Sequence, residues 1–221
     1  MFMKRIISLL LVAVMLFAVT SCGSSTAKDF EWTYKEGILT ISGTGKMPDY
    51  SDGNGEMTTR PWEDKLEEIE EIVVEEGITR IGDYAFYGMK RVVDVTVPAS
   101  LESIGKEAFR RCITVNDIVL GDKLKEIEDG AFGNCNSLYE VYLPSTVKTV
   151  GANAFKGCLI LSKITVPAGV DSIGEDAFAN CKGLEKITYK GTKAQWEAYG
   201  DGLSVPAGVQ IKCSDEIFDQ E

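Results

Sequence analysis

The chain contains no histidine, and this absence narrows its chemistry more than any other feature of its composition. Histidine is the commonest general base near neutral pH and the commonest metal ligand, so Ser/His/Asp catalysis and histidine-based metal sites are excluded. Positive charge is scarce too: 23 lysines and arginines stand against 34 aspartates and glutamates, a net charge of −11. Because an acidic chain repels phosphate backbones, we expect no nucleic-acid partner. We also expect no catalysis, no cofactor and no metal.

Long hydrophobic runs are missing except near the beginning, where two basic residues precede an apolar stretch over residues 6–19. That stretch is too short to span a bilayer comfortably and is typical of an export signal. It leads into the sequence VTSCG at residues 19–23, which resembles the bacterial lipoprotein box, where small residues precede a lipidated cysteine. We interpret residues 1–22 as a lipoprotein signal peptide with its lipid on Cys22. An ordinary cleavable signal with an incidental cysteine is the alternative.

What the chain does have is a near-exact repeat of 23 residues. The pair Ala-Phe recurs at that spacing, with the phenylalanines at Phe86, Phe109, Phe132, Phe155 and Phe178. A cysteine follows the pair at a fixed offset in four copies, at Cys112, Cys135, Cys158 and Cys181, with Met89 in the first copy. A period of this length is typical of a solenoid, in which each repeat buries its apolar face against its neighbours.

Each repeat also predicts one short β-strand. Two inward apolar positions recur every 23 residues, at Ile72 and Val74, Val95 and Val97, Ile118 and Leu120, Val141 and Leu143, Ile164 and Val166, and Ile187 and Tyr189. Because the coil runs one way, we expect the strands to lie parallel, stacked about 4.8 Å apart in one sheet. The turn that carries the Ala-Phe pair is predicted to be helical or 3₁₀.

The repeats are flanked by segments with a different pattern. A solenoid needs caps, because its terminal repeats would otherwise expose apolar faces and open strand edges. The predicted organisation is a tether at 23–29, an N-terminal β-hairpin cap and loop at 30–66, repeats at 67–191, a C-terminal cap at 192–213, and an acidic, frayed tail at 214–221. Thr192 is placed to N-cap a short helix at the start of the C-terminal cap.

The repeat motif, Ile-Gly-x-x-Ala-Phe-x-x-Cys-x-x-Leu-x-x-Ile-x-Val-Pro, resembles the BspA-type leucine-rich repeat of bacterial surface proteins. The flanks LTISGTG at 39–45 and GTKAQW at 191–196 are similar to that family's ends, so the resemblance covers roughly residues 30 to 213. It implies a leucine-rich repeat solenoid, an α/β fold of short parallel strands and helical turns in a right-handed superhelix. It also implies a cell-surface location, and some members bind proteins. Glu128 departs from the pattern, because a glycine is usual there.

Two columns of residues suggest chemistry at first sight. The four aligned cysteines are too widely spaced for a metal site of the CxxC kind, and equivalent side chains point the same way, which disfavours disulfides. We interpret them as small buried hydrophobes and the phenylalanines as core. The loop over residues 49–56 carries oxygen ligands but lacks the EF-hand spacing, so a solvated loop is favoured over a weak Ca²⁺ site.

The candidate ligand surface is the outward side of the predicted strands. It carries four carboxylates and then two lysines, one per repeat: Glu71, Asp94, Asp117, Glu140, Lys163 and Lys186. Like charges on adjacent strands are destabilising, and such a cost hints at function; a solvated sheet face that screens the charges is the other interpretation. Tyr142, with Tyr139 nearby, is the candidate aromatic anchor.

The sequence therefore favours a lipid-anchored, extracytoplasmic binding protein that acts as a monomer in protein–protein adhesion at the bacterial surface. An envelope scaffold and a carbohydrate-binding module remain alternatives. Reach separates adhesion from an envelope role, because a short tether behind a thick cell wall would keep the protein from touching another cell.

Overall fold

The computed structural model describes residues 30–51 and 59–220. The predicted lipid attachment at Cys22 and the tether at 23–29 lie outside the described residues, as does most of the loop considered for Ca²⁺.

One antiparallel pair of strands comes first along the described chain. Short parallel strands follow it, one or two per repeat. The fifteen strands are β1 Phe30–Lys35, β2 Ile38–Gly43, β3 Gly45–Lys46, β4 Glu71–Val74, β5 Ile78–Ile81, β6 Asp94–Thr96, β7 Ser103–Ile104, β8 Glu126–Ile127, β9 Glu140–Tyr142, β10 Thr149–Val150, β11 Lys163–Val166, β12 Ser172–Ile173, β13 Lys186–Tyr189, β14 Gln210–Lys212 and β15 Ile217–Asp219. The helix α1 spans Lys193–Glu197, and 3₁₀ turns span Glu63–Lys65 and Asp201–Leu203.

These strands form the sides of a β-solenoid of about six turns, as the repeat predicts. Three sheets have the orders β1-β2-β4-β6, β12-β10-β8-β7-β5-β3 and β15-β14-β13-β11-β9. The second sheet runs unbroken through five repeats. The first and third sheets occupy the same side of the coil but are separate. Residues 117–119, which should join β6 to β9, are not a strand, so the prediction of one continuous sheet is wrong there.

The core is a continuous apolar column that every repeat extends. The five phenylalanine rings are buried and stack at centroid distances of 5.2, 5.4, 5.5 and 6.2 Å along the coil. Trp62 continues the stack before the first repeat, 5.9 Å from Phe86, and its indole nitrogen donates to the Ala85 carbonyl. This confirms that the phenylalanines are core residues, and adds a tryptophan that the 23-residue spacing did not place among them.

The Ala-Phe segments are turns and not helices, so the prediction of helical turns is not confirmed. Each turn contains two left-handed residues at fixed offsets from the pair. The first set is Tyr84, Glu107, Gly130, Asn153 and Asp176, and the second is Gly88, Arg111, Asn134, Gly157 and Asn180. These conformations turn alternate amides along the coil axis. Phe109 N therefore donates to Ala131 O at 2.8 Å, and Arg111 N donates to Gly133 O at 2.8 Å.

A glycine follows four of the second-sheet strands, β5, β7, β10 and β12, and it is required by close approach of the neighbouring backbone and not by a positive φ. At Gly151, an added Cβ would lie 2.5 Å from the backbone nitrogen of Asp129 in the preceding repeat. Gly174 is equally constrained by the backbone at Ala152. Glu128 fills this column in the third repeat, and its carboxylate accepts hydrogen bonds from Arg80, two repeats upstream, at 3.0 and 3.2 Å.

The two ends of the coil are covered by the flanking segments. β1 and β2 pair antiparallel and β2 adds parallel to β4, while at the other end β14 adds parallel to β13. Thr192 caps α1 in a capping box with Gln195, which confirms the predicted N-cap. The prediction of a frayed tail is wrong, because β15 pairs antiparallel with β14 and covers the open edge of β14.

Candidate functional site

The outward side of the first and third sheets gathers the residues that the sequence singles out. We call this surface the strand face: the solvent side of β4, β6, residues 117–119, β9, β11 and β13. Parallel pairing in register places Glu71 beside Asp94 and, farther along, Glu140 beside Lys163 and Lys163 beside Lys186. The predicted charge column is therefore present, but Asp117 stands in it without a strand around it.

The basic half of this column is tied to the acidic half by one ion pair. Lys163 Nζ lies 3.0 Å from Glu140 Oε1, across neighbouring strands. The hydroxyl of Tyr142 donates to Glu140 Oε2 at 2.7 Å. The Tyr142 hydrogen bond and then Lys163 lower the pKa of Glu140, and the carboxylate in turn raises the pKa values of Tyr142 and Lys163. This cluster fixes the orientation of the tyrosine on the surface.

The other three carboxylates of the column are not compensated in this way. Across residues 30–51 and 59–220, no ion pair is formed by Glu71, Asp94 or Asp117, although Asp117 is close enough to Tyr142 to act on its titration. A negative potential therefore remains on the part of the strand face between β4 and β9. A ligand that brings positive charge would meet unsatisfied carboxylates there.

Apolar side chains are exposed on the same part of the surface. Val119 is 77% exposed, Tyr142 is 64% exposed, and Tyr139 is 52% exposed at the residue that precedes β9. Val93, at the equivalent residue before β6, is 40% exposed. The structure thus brings Tyr142 and Tyr139 together with two valines that the sequence analysis did not select.

The interruption at residues 117–119 is the main feature that sequence reasoning missed. In the described part of the chain, the segment Asp117–Leu120 makes no backbone hydrogen bond to β6 or β9; only the Tyr139 amide reaches across, to Asn116 O at 3.2 Å. A signal for it exists. Asn116 and Asp117 are poor strand formers, and Gly121 stands where three other repeats have the proline that ends the strand.

The cysteine column is chemically quiet. Each thiol is buried and free, and Sγ donates to a phenylalanine carbonyl 26 residues upstream at 3.1 Å. Burial raises the pKa of Cys112 to about 12 and that of Cys181 to about 11. Since the thiolate is the reactive form, these cysteines act as small core residues. Within the described ranges, no group of three or more acidic or cysteine side chains is arranged to hold a metal ion.

Residues 64–185 match the BspA type leucine rich repeat region in six copies, which is more than half of the 221-residue chain. The chain belongs to this family. The matched residues include the strand face from Glu71 to Lys163, with Tyr142 between them. Of the helices in residues 30–51 and 59–220, none is long and apolar enough to cross a membrane.

Solved structures of bacterial leucine-rich repeat proteins are similar to this chain. A leucine-rich repeat protein from Eubacterium ventriosum is 27% identical over 74% of this chain, with a TM-score of 0.62. The T. pallidum leucine-rich repeat protein is 22% identical over 83% of this chain and 91% of its own length, with a TM-score of 0.56. A leucine rich cell surface protein from Faecalibacterium prausnitzii is 24% identical over 76% of this chain, with a TM-score of 0.51. The last two likenesses show the fold alone.

The relatives differ in length. This chain spans 42% of the Eubacterium ventriosum protein and 55% of the Faecalibacterium prausnitzii protein. No curated protein matches it. The family and the fold are therefore fixed by these similarities, and the ligand has to be argued from the surface itself.

Proposed function

We propose that this chain is an extracytoplasmic, lipid-anchored binding protein that holds a protein partner on its strand face. Membership of a leucine-rich repeat family supports a protein-binding role. The surface suits such a role because it is long and is backed by one continuous packed core. A solenoid offers an extended face for a partner and no deep pocket for a small molecule.

The concentration of exposed apolar side chains carries the proposal. Eight large hydrophobic side chains are exposed in the described residues, and five of them lie on or beside the strand face: Ile38, Val93, Val119, Tyr139 and Tyr142. Soluble monomers rarely gather exposed apolar groups without a use for them. Tyrosine is common among the residues that dominate protein interfaces, and Tyr142 is already held in place by Glu140.

Anchoring and location belong to the same proposal. A lipid on Cys22 would tether the molecule outside the cytoplasm, since two or more acyl chains give stable attachment. The similar protein from Faecalibacterium prausnitzii is described as a cell surface protein, which is consistent with that location. We further propose that the β1–β2 hairpin and the α1–β14 segment act as caps on a right-handed superhelix, which leaves the protein a monomer with its strand face free.

Adhesion to another cell is the role we propose on an exposed outer membrane. The tether at 23–29 reaches on the order of 20 Å when extended, and the strand ribbon adds on the order of 35 Å. Behind a thick peptidoglycan wall that reach would be too short, and an envelope partner would replace the cellular one.

The partner can be caught by site-specific photo-crosslinking on intact cells. A benzophenone amino acid at position 142 or 119 probes the strand face, and the same group at position 160 probes an exposed apolar residue on a turn. We expect one protein adduct from the first two positions and none from position 160. Tyr142→Ala should then weaken binding of the identified partner roughly 30-fold, the loss of about 2 kcal/mol typical of a hot spot.

Two outcomes would contradict the proposal. Adducts formed only from position 160 would move the binding surface to the turns. For the anchor, Cys22→Ala should transfer the protein from the membrane fraction to the soluble fraction, and a variant that stays membrane-bound would show that the attachment is something else.

A further inference from the structure

The outer edge of β1 is unpaired in the described part of the chain. β1 is the terminal strand of its sheet and pairs only with β2. The next strand over bonds to β2 through the Gly37 and Ile41 carbonyls, which accept from the Glu71 and Glu75 amides. The odd-numbered residues of β2 therefore face β4, and its even-numbered residues face β1. Since bonded groups alternate along a strand, the free edge of β1 presents the N–H and C=O groups of Phe30, Trp32 and Tyr34.

This edge has few of the features that protect strand edges in other proteins. It is six residues long, whereas β15 at the opposite end of the coil has three. The rings of Phe30 and Trp32 lie 6.4 and 6.0 Å from the Trp62 ring, so the strand is held firmly against the cap. A long, ordered edge is a template for another strand.

The exposed side of β1 carries two opposite charges around a threonine. Glu31, Thr33 and Lys35 are exposed, and they alternate with the partly buried aromatic residues. Within residues 30–51 and 59–220, neither Glu31 nor Lys35 forms an ion pair. Both charges are therefore available to a strand laid along the edge.

The strand is complementary to itself in one antiparallel register. When Thr33 lies opposite Thr33 of a second copy, each Glu31 lies opposite a Lys35. On the other side, each Trp32 lies opposite a Tyr34. Opposite-charge, threonine and aromatic pairs are the cross-strand pairs that stabilise sheets.

The backbone fits the same register. Trp32 and Tyr34 carry the free N–H and C=O groups, and in this register they face each other as the hydrogen-bonded pairs. Sliding the second strand by two residues keeps the backbone bonds but places Glu31 or Lys35 opposite Thr33. Charge therefore selects the register centred on Thr33.

We propose that β1 is a self-pairing edge that joins two copies of this chain about a twofold axis at Thr33. The sheet β1-β2-β4-β6 then continues into the same sheet of the second copy. A twofold axis perpendicular to the sheet places both strand faces on the same side. This inference goes beyond the proposed function, and it leaves the strand face of each copy open to a partner.

The pairing is expected to be weak in solution and stronger on a membrane. One strand pair is small beside the roughly 800 Å² that each partner buries in a stable interface, so dilute protein remains the monomer proposed above. A lipid on Cys22 would confine the copies to one surface, with β1 beginning within the tether's reach of about 20 Å. Confinement raises the effective concentration of one edge for another. Only this enhancement rests on the proposed anchor.

The test is disulfide crosslinking of the full chain, purified in detergent and reconstituted into phosphatidylcholine vesicles. Thr33→Cys places two thiols opposite each other in a non-hydrogen-bonded pair. The Cα atoms of such a pair are about 4.5 Å apart, within the range of roughly 4.4–6.8 Å that a disulfide spans. We expect a covalent dimer after mild oxidation, seen on a non-reducing gel. The free cysteines of the described residues are buried, so the unsubstituted chain is the blank.

Glu31→Cys is the matched control for random collision. Position 31 is exposed on the same side of the same strand, but its two copies would be displaced by four residues, about 13 Å along the strands. It should crosslink to itself at least about tenfold more slowly than Thr33→Cys. A mixture of Glu31→Cys and Lys35→Cys chains should crosslink between the two variants.

Charge reversal tests the register. In the Thr33→Cys chain, Glu31→Lys places lysine opposite Lys35 and should slow crosslinking about fivefold. Adding Lys35→Glu restores opposite charges in the reversed order and should restore the rate. Recovery in the double variant would not follow if either substitution acted by disturbing the hairpin.

Two results would overturn the inference. Equal crosslinking rates for Thr33→Cys and Glu31→Cys would show collision and no defined pair. Failure of Lys35→Glu to restore the rate would contradict the register. If the chain proves not to be lipidated, sedimentation of concentrated Cys22→Ala protein tests the pairing without the anchor, and a monomer at every concentration would then contradict it.

These outcomes are separate from those for the strand face. A partner captured at position 142 without a Thr33 crosslink would contradict self-pairing alone. A Thr33 crosslink without any captured partner would support self-pairing and contradict the proposed role of the strand face.

Discussion

The Ala-Phe turns and the strand face are built from the same 23-residue repeat, yet they treat the boundary between the second and third repeats differently. On the turn side, two left-handed residues per repeat direct amides along the coil, and the phenylalanine stack continues without a break. On the strand face, the hydrogen-bonded ladder stops at β6 and resumes at β9. The turns and the second sheet thus hold the third repeat in register, while the strand face, where we propose that recognition occurs, is interrupted.

Amide hydrogen exchange would show the largest contrast between the two sides. The Phe109 and Arg111 amides are bonded across the boundary, so they should exchange only with global opening, which costs roughly 5–15 kcal/mol in a typical domain. The amides of Ile118 and Val119 should exchange through local opening at a much smaller cost, at least about a thousandfold faster. Ile164, in the doubly paired β11, is the control on the same face. Equal protection at Ile118 and Ile164 would mean that the ladder is closed in solution.

Phe132→Ala should destabilise the turn side of the coil by interrupting its phenylalanine stack. The ring stacks between Phe109 and Phe155 at 5.4 and 5.5 Å and is buried, so its loss should lower the free energy of unfolding by about 3–5 kcal/mol. Val119→Ala, on the exposed strand face, should change it by less than about 0.5 kcal/mol. Urea unfolding of both variants measures the difference. Similar losses in the two would contradict the division between the sides.

Gly174→Ala should also lower the free energy of unfolding, but by less than Phe132→Ala does. The new Cβ would press on the backbone at Ala152, and overpacking of this kind costs about 1–3 kcal/mol. Gly88→Ala is the matched substitution, since its Cβ meets nothing within 4 Å and only the positive φ of 74° is penalised. About 1 kcal/mol is expected there. If Gly88→Ala proved the more damaging, dihedral preference would outweigh close approach.

The smallest expected effect concerns the titration of Glu140 on the strand face. Its pKa is lowered first by Tyr142 and then by Lys163. Tyr142→Phe and Lys163→Met should therefore each raise that pKa, measured by NMR of the side-chain carboxyl. Because the folded-state pKa is depressed, the stabilisation by this cluster is present above the ordinary glutamate pKa of about 4.3 and fades as pH falls below it. An unchanged Glu140 pKa in Tyr142→Phe would show that the hydrogen bond from Tyr142 to Glu140 does not form in solution.

Periodicity predicted the solenoid, the parallel strands and the buried phenylalanines, because each of these depends on contacts that recur every 23 residues. Local sequence signals were strong enough to predict the N-cap at Thr192 and the N-terminal hairpin as well. Features set by single departures were harder to predict. The break at residues 117–119 follows from Asn116, Asp117 and Gly121 acting together, while the inward pattern of Ile118 and Leu120 still indicated a strand.

The candidate surface, too, could be predicted only in part from the sequence. Alternation along a strand was enough to place Glu140, Lys163 and Tyr142 on one outward face. It could not show that Tyr142 is tied to Glu140, or that Asp94 and Asp117 remain uncompensated, because those depend on side-chain conformations. The positive-φ pairs in the turns were also hidden, since residues as different as tyrosine, glutamate, asparagine and glycine occupy one position.

Arg80 has a consequence for how this array can change in length. Most contacts in the coil join adjacent repeats, so units could be duplicated or deleted with little effect elsewhere. Arg80 instead binds Asp49 before the repeats, Asp83 in its own repeat and Glu128 two repeats farther on. Inserting a unit between β5 and β8 would separate these partners. We therefore expect the first three turns to tolerate an inserted unit less well than the turns beyond Glu128, where only neighbouring repeats need to match.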